Sequence, residues 1–160
     1  MTSTSELLRT VFRGWPTGVA VVTTVFDGRK HGLTVNSLAS VSLDPARITI
    51  SLANQSRTCP MVLASGVFAV TLLDVDQQHI ADVFAGKEPE EDRFDNLELF
   101  TLETGVPMLK AGRAFLDCRV VHTYPMPNST LFVGEVLAGE SDLERAPLVY
   151  FNRGYHQVQK

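Results

Sequence analysis

The sequence predicts a mainly β protein, a closed antiparallel barrel with a few short flanking helices. Three observations predict it. Val- and Thr-rich stretches with period-two alternation recur along the chain, as strands with one buried face do. Turn signals such as Asp27-Gly28 and Asp44-Pro45 separate them at short intervals. Helical patterning is confined to three short stretches, and many strands with few helices favour a sheet closed on itself.

The elements follow in order. Ser3-x-x-Glu6 is a capping box, and Leu7, Leu8, Val11 and Phe12 then share one helical face. Gly14 and Pro16 end that helix. Residues 18–26 read as a strand closed by Asp27-Gly28, and residues 33–37 as a shorter one. Residues 47–53 alternate cleanly, with Ile48, Ile50 and Leu52 on one face. A helix starts near Thr58, carries Pro60 in its first turn, where proline is tolerated, and stops at Ser65-Gly66. A strand over 67–73 leads to a helix over 76–84 with Ile80, Val83 and Phe84 as its apolar face. The acidic run Glu88, Glu90, Glu91 and Asp92 in 86–96 reads as a solvated loop. Two long strands, 113–124 and 130–140, flank a turn at 125–129, and strands at 148–151 and 155–158 complete the chain. With no repeat, linker or low-complexity segment, residues 1–160 form one domain.

Composition narrows the function. With 44% hydrophobic and 20% charged residues the chain is globular rather than disordered. Its 14 basic and 18 acidic residues give a formal charge of -4, which argues against nucleic acid or an anionic membrane as the main partner. A local basic spot for a small anion remains compatible with that balance. No basic flank precedes an apolar core at the N-terminus, and apolar runs such as 19–22 fall far short of the ~20 residues a spanning helix needs. Cys59 and Cys118 make no disulfide scaffold and read as buried thiols in a reducing cytoplasm, so a cytoplasmic location is expected. His31, His79, His122 and His156 show no metal-ligand spacing, and no metal is expected. Rossmann, Walker, zincin and serine-hydrolase signatures are all missing.

What stands out is polar density between strands. Thr34, Asn36, Ser37, Ser40 and Ser42 lie close together, and Asn54, Ser56, Arg57 and Thr58 lead into the helix carrying Pro60. A helix N-terminus has unpaired N–H groups and a partial positive charge, so with Arg57 and several hydroxyls it makes a plausible phosphate site. Ser, Thr and Asn also serve as ordinary turn and cap residues, and the residues alone leave both readings open.

The run Gly32-Leu33-Thr34-Val35-Asn36-Ser37-Leu38-Ala39-Ser40-Val41-Ser42-Leu43-Asp44-Pro45 resembles the flavin-binding segment of the flavin reductase-like family, the small reductase components of two-component monooxygenases. Pro16-Thr17-Gly18-Val19-Ala20-Val21-Val22-Thr23-Thr24 is similar to that family's first strand. Ser56-Arg57-Thr58 resembles its phosphate-side motif, and Ser65-Gly66-Val67-Phe68-Ala69-Val70 its middle strand. Arg93-Phe94, Gly134-Glu135-Val136 and Pro147-Leu148-Val149-Tyr150 continue the likeness, which covers nearly the whole chain.

The resemblance implies a split antiparallel β-barrel of the Greek-key, FMN-binding type, usually a homodimer with its flavins near the subunit interface. It implies that FMN or FAD lies against the backbone of Thr34, Val35, Asn36, Ser37 and Leu38. Ser40, Asn54, Arg57 and Thr58 would hold the ribityl phosphate, Phe94 would sit close to the flavin, and Ala53, Ser56 and Tyr155 would complete the set. NADH or NADPH would pass hydride to the flavin, and reduced flavin would leave for a partner oxygenase. Many members carry Gly-Asp-His where this chain has Pro127-Asn128-Ser129. Ser129 thus takes the place of a histidine near the nicotinamide; it can donate a hydrogen bond but cannot carry charge. That departure keeps a second function in view, a flavin-holding barrel that carries electrons or stores flavin and reacts weakly with NAD(P)H.

Overall fold

The structure is a computed structural model, and it describes residues 2–158 apart from 143. Among the described residues there are three α-helices, α1 (Thr4–Arg13), α2 (Thr58–Ser65) and α3 (Gln78–Asp82), the last continuing into a π turn at Val83–Lys87 and followed by a 3-10 turn at Glu90–Asp92. The strands are β1 (Thr17–Gly18), β2 (Ala20–Phe26), β3 (Arg29–Val35), β4 (Ala39–Leu43), β5 (Ala46–Ala53), β6 (Val67–Leu72), β7 (Leu99–Phe100), β8 (Met108–Leu109), β9 (Ala114–Pro125), β10 (Ser129–Ser141), β11 (Leu148–Phe151) and β12 (Gly154–Gln157).

Seven strands form one antiparallel sheet in the order β3-β2-β6-β9-β10-β5-β4. Two small sheets, β1-β11-β12 and β7-β8, sit beside it. The sequence led to the expectation of a closed barrel, and the main sheet is open instead: β3 and β4 end it and are not laddered to one another. The sheet nevertheless curls around a core, because Ala20 and Val22 of β2, Ile48, Ile50 and Leu52 of β5, Phe68 and Val70 of β6, Cys118 of β9 and Phe132 of β10 all belong to one buried cluster. Cys59 and Val62 of α2 close that cluster.

β2 shows how the sequence produces this. It is buried on both faces, with Ala20 and Val22 in the first cluster and Val21 in a second with Ile80, Phe84 and Phe94. A strand sandwiched between two layers reads as a continuous apolar run, but this one carries Thr23 and Thr24. Their hydroxyls donate to the carbonyls of Pro107 at 2.6 Å and Val67 at 2.8 Å, which removes the penalty for burying them. Burial also pushes the Cys118 thiol up to about 12, with the Asp117 carboxylate adding to the effect.

Strand limits depart from expectation where polarity misleads. β3 begins at Arg29 rather than residue 33, because the Asp27-Gly28 turn, with both residues at positive φ, forces the hairpin to pair at once. β4 was not expected, since its exposed Ser-rich sequence lacks a buried face. The helix expected over 76–84 is α-helical only over Gln78–Asp82; the chain continues as a π turn, inside which Gly86 at φ 99° leaves the helical path.

Gly134 lies where β10 crosses Phe68. A Cβ there would run into the Phe68 ring and meet Cys118 Cβ at 3.1 Å. Gly134→Ala should therefore lose about 1–3 kcal/mol of stability. Thermal unfolding should show a midpoint several degrees lower, while Gly14→Ala, whose Cβ meets only Val11 O at 3.4 Å, stays near wild type.

Candidate active site

Past Val35 the ladder of β3 stops, and residues 36–38 run as irregular backbone until β4 begins. Peptide groups outside a ladder are available to a ligand. Between this segment and the N-terminal region lies a cavity of about 750 Å³. Phe12, Trp15, Pro16, Thr17 and Gly18 line it from the N-terminal region, and Ala20, Val35, Asn36, Ser37, Leu38 and Leu72 from the sheet.

A hollow of about 200 Å³ shares Val35 and Asn36 with the cavity and adds Val19, Thr34, Ala85, Tyr150 and Tyr155. The Thr34 hydroxyl donates to Ala81 O at 2.7 Å, tying this wall to α3. Tyr150 and Tyr155 meet edge to face with centroids 5.5 Å apart. Burial, the Asp82 carboxylate and Tyr150 raise the Tyr155 phenol above its ordinary range. Tyr155 therefore remains a hydrogen-bond donor across the neutral pH range.

Ser37 joins this wall to β5. Its Oγ donates to Ser51 O and accepts from Ser51 N, both at 3.0 Å. β5 then runs two residues to Ala53 and into the turn before α2. In that turn the Ser56 hydroxyl donates to Ala53 O at 2.7 Å and accepts from Cys59 N at 3.2 Å, so Ser56 organises the first turn of α2. Arg57 occupies the N-cap position, exposed, and its side chain does not cap the helix. Asn54 is used structurally: its Oδ1 accepts from the Thr130 hydroxyl at 2.7 Å and its Nδ2 donates to Met126 O at 3.1 Å. Ser129, the first residue of β10, pairs with Ala53. An exposed guanidinium, a helix N-terminus, Asn54 and Ser129 are thus gathered at one end of β5.

The residues selected from sequence separate into distinct placements. Thr34, Val35, Asn36, Ser37, Leu38 and Tyr155 line the cavity or its hollow. Ala53, Asn54, Ser56, Arg57 and Ser129 lie at the far end of β5, and Ser40 is exposed on β4 opposite Ile48. Thr58 is fully buried, and its hydroxyl is hydrogen-bonded to Nδ1 of the buried His31 at 2.8 Å. Phe94 belongs to the second core cluster, edge-on to Phe84 with centroids 5.1 Å apart and with the Lys30 ammonium over its ring. It is not on the cavity wall.

Sequence reasoning missed Phe12, Trp15, Thr17, Gly18 and Tyr150 as wall residues. The one signal was Trp15, the chain's single tryptophan, set just after an amphipathic helix; it is 64% exposed. An unburied tryptophan is unusual enough to mark a contact surface.

The geometry suits a flat, largely apolar ring system with a polar edge and an anionic tail. Apolar walls and free peptide groups meet the first two needs, and the α2 N-terminus with Arg57 the third. Among the described residues, no three His, Cys, Asp or Glu side chains are grouped to hold a metal ion, and no helix is long and apolar enough to cross a membrane. The walls offer hydroxyls, an amide and phenols, so redox chemistry here would be carried by a bound group that the protein positions.

Comparison with known proteins shows the family. The model of the flavin reductase like domain matches residues 12–159. The reductase component of an FADH(2)-dependent resorcinol hydroxylase from Rhizobium sp. (strain MTP-10005) is 34% identical over 149 residues, 92% of this chain and 83% of the relative. The reductase component of a 4-hydroxyphenylacetate 3-monooxygenase from Thermus thermophilus is 30% identical over 153 residues, 96% of both chains. The solved NADH:FAD oxidoreductase of Streptomyces globisporus C-1027 superposes with a TM-score of 0.92 at 29% identity, covering 100% of this chain and 98% of that one. A cavity bounded by the 36–38 segment and matches along almost the entire chain lead to one conclusion: this protein belongs to the flavin reductase-like domain family.

Proposed function

We propose that the protein is an NAD(P)H:flavin oxidoreductase that takes FMN or FAD into the cavity and supplies reduced flavin to a partner monooxygenase. The observation that carries this reading is the cavity bounded by the irregular 36–38 segment, which Ser37 ties to β5, the strand that leads into the turn before α2. When bound, the flavin accepts hydride from the nicotinamide of NADH or NADPH. Irregular backbone at 36–38 offers hydrogen bonds to the polar ring edge, while Trp15, Val35, Leu38 and Leu72 exclude water from its faces. Arg57 and the first turn of α2 receive the phosphate; Thr58 contributes through its place in that turn, since its hydroxyl is engaged with His31. The open curled sheet is read as a split barrel, supported by the shared core of β2, β3, β5, β6, β9 and β10.

A homodimer completes this reading. Leu7, Leu8, Val11 and Phe12 of α1 are each about 60% exposed, an apolar face that the described residues leave open. A second copy covering that face would also shield the cavity, which Phe12 and Trp15 border. The replacement of the family's histidine by Ser129 favours, as the second reading, a flavin-binding barrel that reacts weakly with NAD(P)H.

NADH oxidation with added FMN or FAD separates the two readings: turnover supports the reductase, and tight flavin binding without turnover supports the carrier. Arg57→Ala should weaken FMN binding about 10- to 100-fold while leaving riboflavin, which lacks the phosphate, little changed. Equal losses would remove Arg57 from the phosphate site. Ser129→His should raise turnover at unchanged FMN affinity, and Ser129→Ala should lower kcat/KM about two- to tenfold. If neither substitution moves kcat/KM, position 129 does not reach the nicotinamide. Light scattering should give about 35 kDa, twice the 17.6 kDa chain, and Leu8→Asp with Val11→Asp should give a monomer.

A further inference from the structure

The cavity does not end at Trp15. A second hollow of about 280 Å³ shares Phe12, Trp15 and Asn36 with it and is lined further by Arg9, Arg13, Tyr150, Phe151 and Arg153. Beyond lies a third space of about 400 Å³, bordered by Arg9, Arg13 and Arg153 again, with Glu6 and Thr10. The surface thus passes from apolar to aromatic to strongly basic, in a chain whose net charge is -4.

The three arginines are placed together by the fold. Arg9 and Arg13 sit one turn apart on α1, where like charges repel. Arg153 comes from the two-residue turn between β11 and β12, and the Asn152 N–H of that turn donates to Arg13 O at 3.0 Å. Arg153 has φ 64° and Asn152 φ 48°, left-handed conformations in which glycine is the undemanding choice at the second turn position. Holding an arginine there keeps a guanidinium beside the helix at the expense of backbone strain. The helix dipole accounts for Arg13 in the last turn, but not for Arg9 or Arg153. No salt bridge among the described residues uses any of the three. Glu6, a carboxylate on the same wall, is engaged in the capping box, where it accepts from Ser3 N at 3.0 Å.

From this arrangement we infer that Arg9, Arg13 and Arg153 bind the diphosphate of an adenosine diphosphate group, with Trp15, Tyr150 and Phe151 offering faces to its adenine. This rests on the proposed reductase function: the group is the adenylate end of the pyridine nucleotide whose nicotinamide reaches the flavin in the main cavity. Two arginine forks match a diphosphate, and aromatic faces next to them accept a purine. FAD carries the same adenosine diphosphate group and is the other source. The pyridine nucleotide is favoured because the flavin's own phosphate is assigned to the Arg57 end of β5.

The test compares wild type with Arg9→Gln/Arg13→Gln and with Arg153→Gly, which suits the turn's positive φ. KM for NADH should rise about tenfold or more, whereas KM for reduced nicotinamide mononucleotide, which lacks the adenylate, should stay within about twofold. FMN affinity should be unchanged. A loss of FAD affinity with NADH unaffected would assign the same site to the flavin's adenylate. If NADH, FAD and FMN all remain within twofold of wild type, or if KM rises equally for NADH and the mononucleotide, the arginines bind no adenosine diphosphate and the inference fails. Quenching of the Trp15 fluorescence by ADP alone keeps this separate from reductase activity. Quenching in wild type that the variants lose supports the site even in a protein that never reduces flavin; no ADP binding to wild type overturns it.

Discussion

The paired hydrogen bonds between Ser37 and Ser51 are the joint on which the site depends. The main sheet is open, so nothing in its ladders fixes where the end of β3 lies relative to β5. One side chain settles it by acting as donor and acceptor to the same residue of β5. The two bonds are worth only about 0.5–1.5 kcal/mol each, so their importance is positional rather than energetic. They hold the irregular 36–38 segment against a strand that ends at the α2 N-terminus. The cavity wall and the turn before α2 are therefore joined through β5.

Buried polar groups support this arrangement from below. Thr58 and His31 hydrogen-bond inside the core at the start of α2, linking that helix to β3. Arg93, only 7% exposed, donates to Gly32 O at 3.2 Å from beneath the same strand. Asp117 accepts from Thr104 N at 2.8 Å and pins the loop before β8 to β9. Such bonds add little net stability but exclude alternative packings, because any shift would leave a buried polar group unsatisfied.

Much of this was legible in the sequence, for local reasons. The capping box of Ser3 and Glu6, the turn at Asp27-Gly28 and the helix carrying Pro60 are each encoded within a few residues, and each occurs. Asn36 to Leu38 and Tyr155 were read as site residues, and they do line the cavity and its hollow. What could not be read depends on contacts distant in sequence. Nothing near Thr58 reveals that its hydroxyl is bonded to His31, 27 residues earlier. Nothing near Phe94 reveals that Phe84 and Lys30 enclose it. The openness of the sheet was equally hidden, since alternation reports which face of a strand is buried and not what pairs with its edges.

The irregularity between Ser40 and Ser42, where the pairing of β4 with β5 shifts register, has a consequence for what this surface refuses. A flat outer strand with unpaired N–H and C=O groups is a template on which another chain can add a strand, the first step of aggregation. β4 is short, and it exposes Val41 and Leu43 at 55% and 88%, the composition that would make such a template sticky. The bulge breaks the regular spacing of its hydrogen-bonding groups and twists the strand, so an incoming segment cannot stay in register along it. At the other margin, Arg29 and Lys30 of β3 place charge where a partner strand would lie. Polymerisation through sheet extension is thus discouraged at both margins.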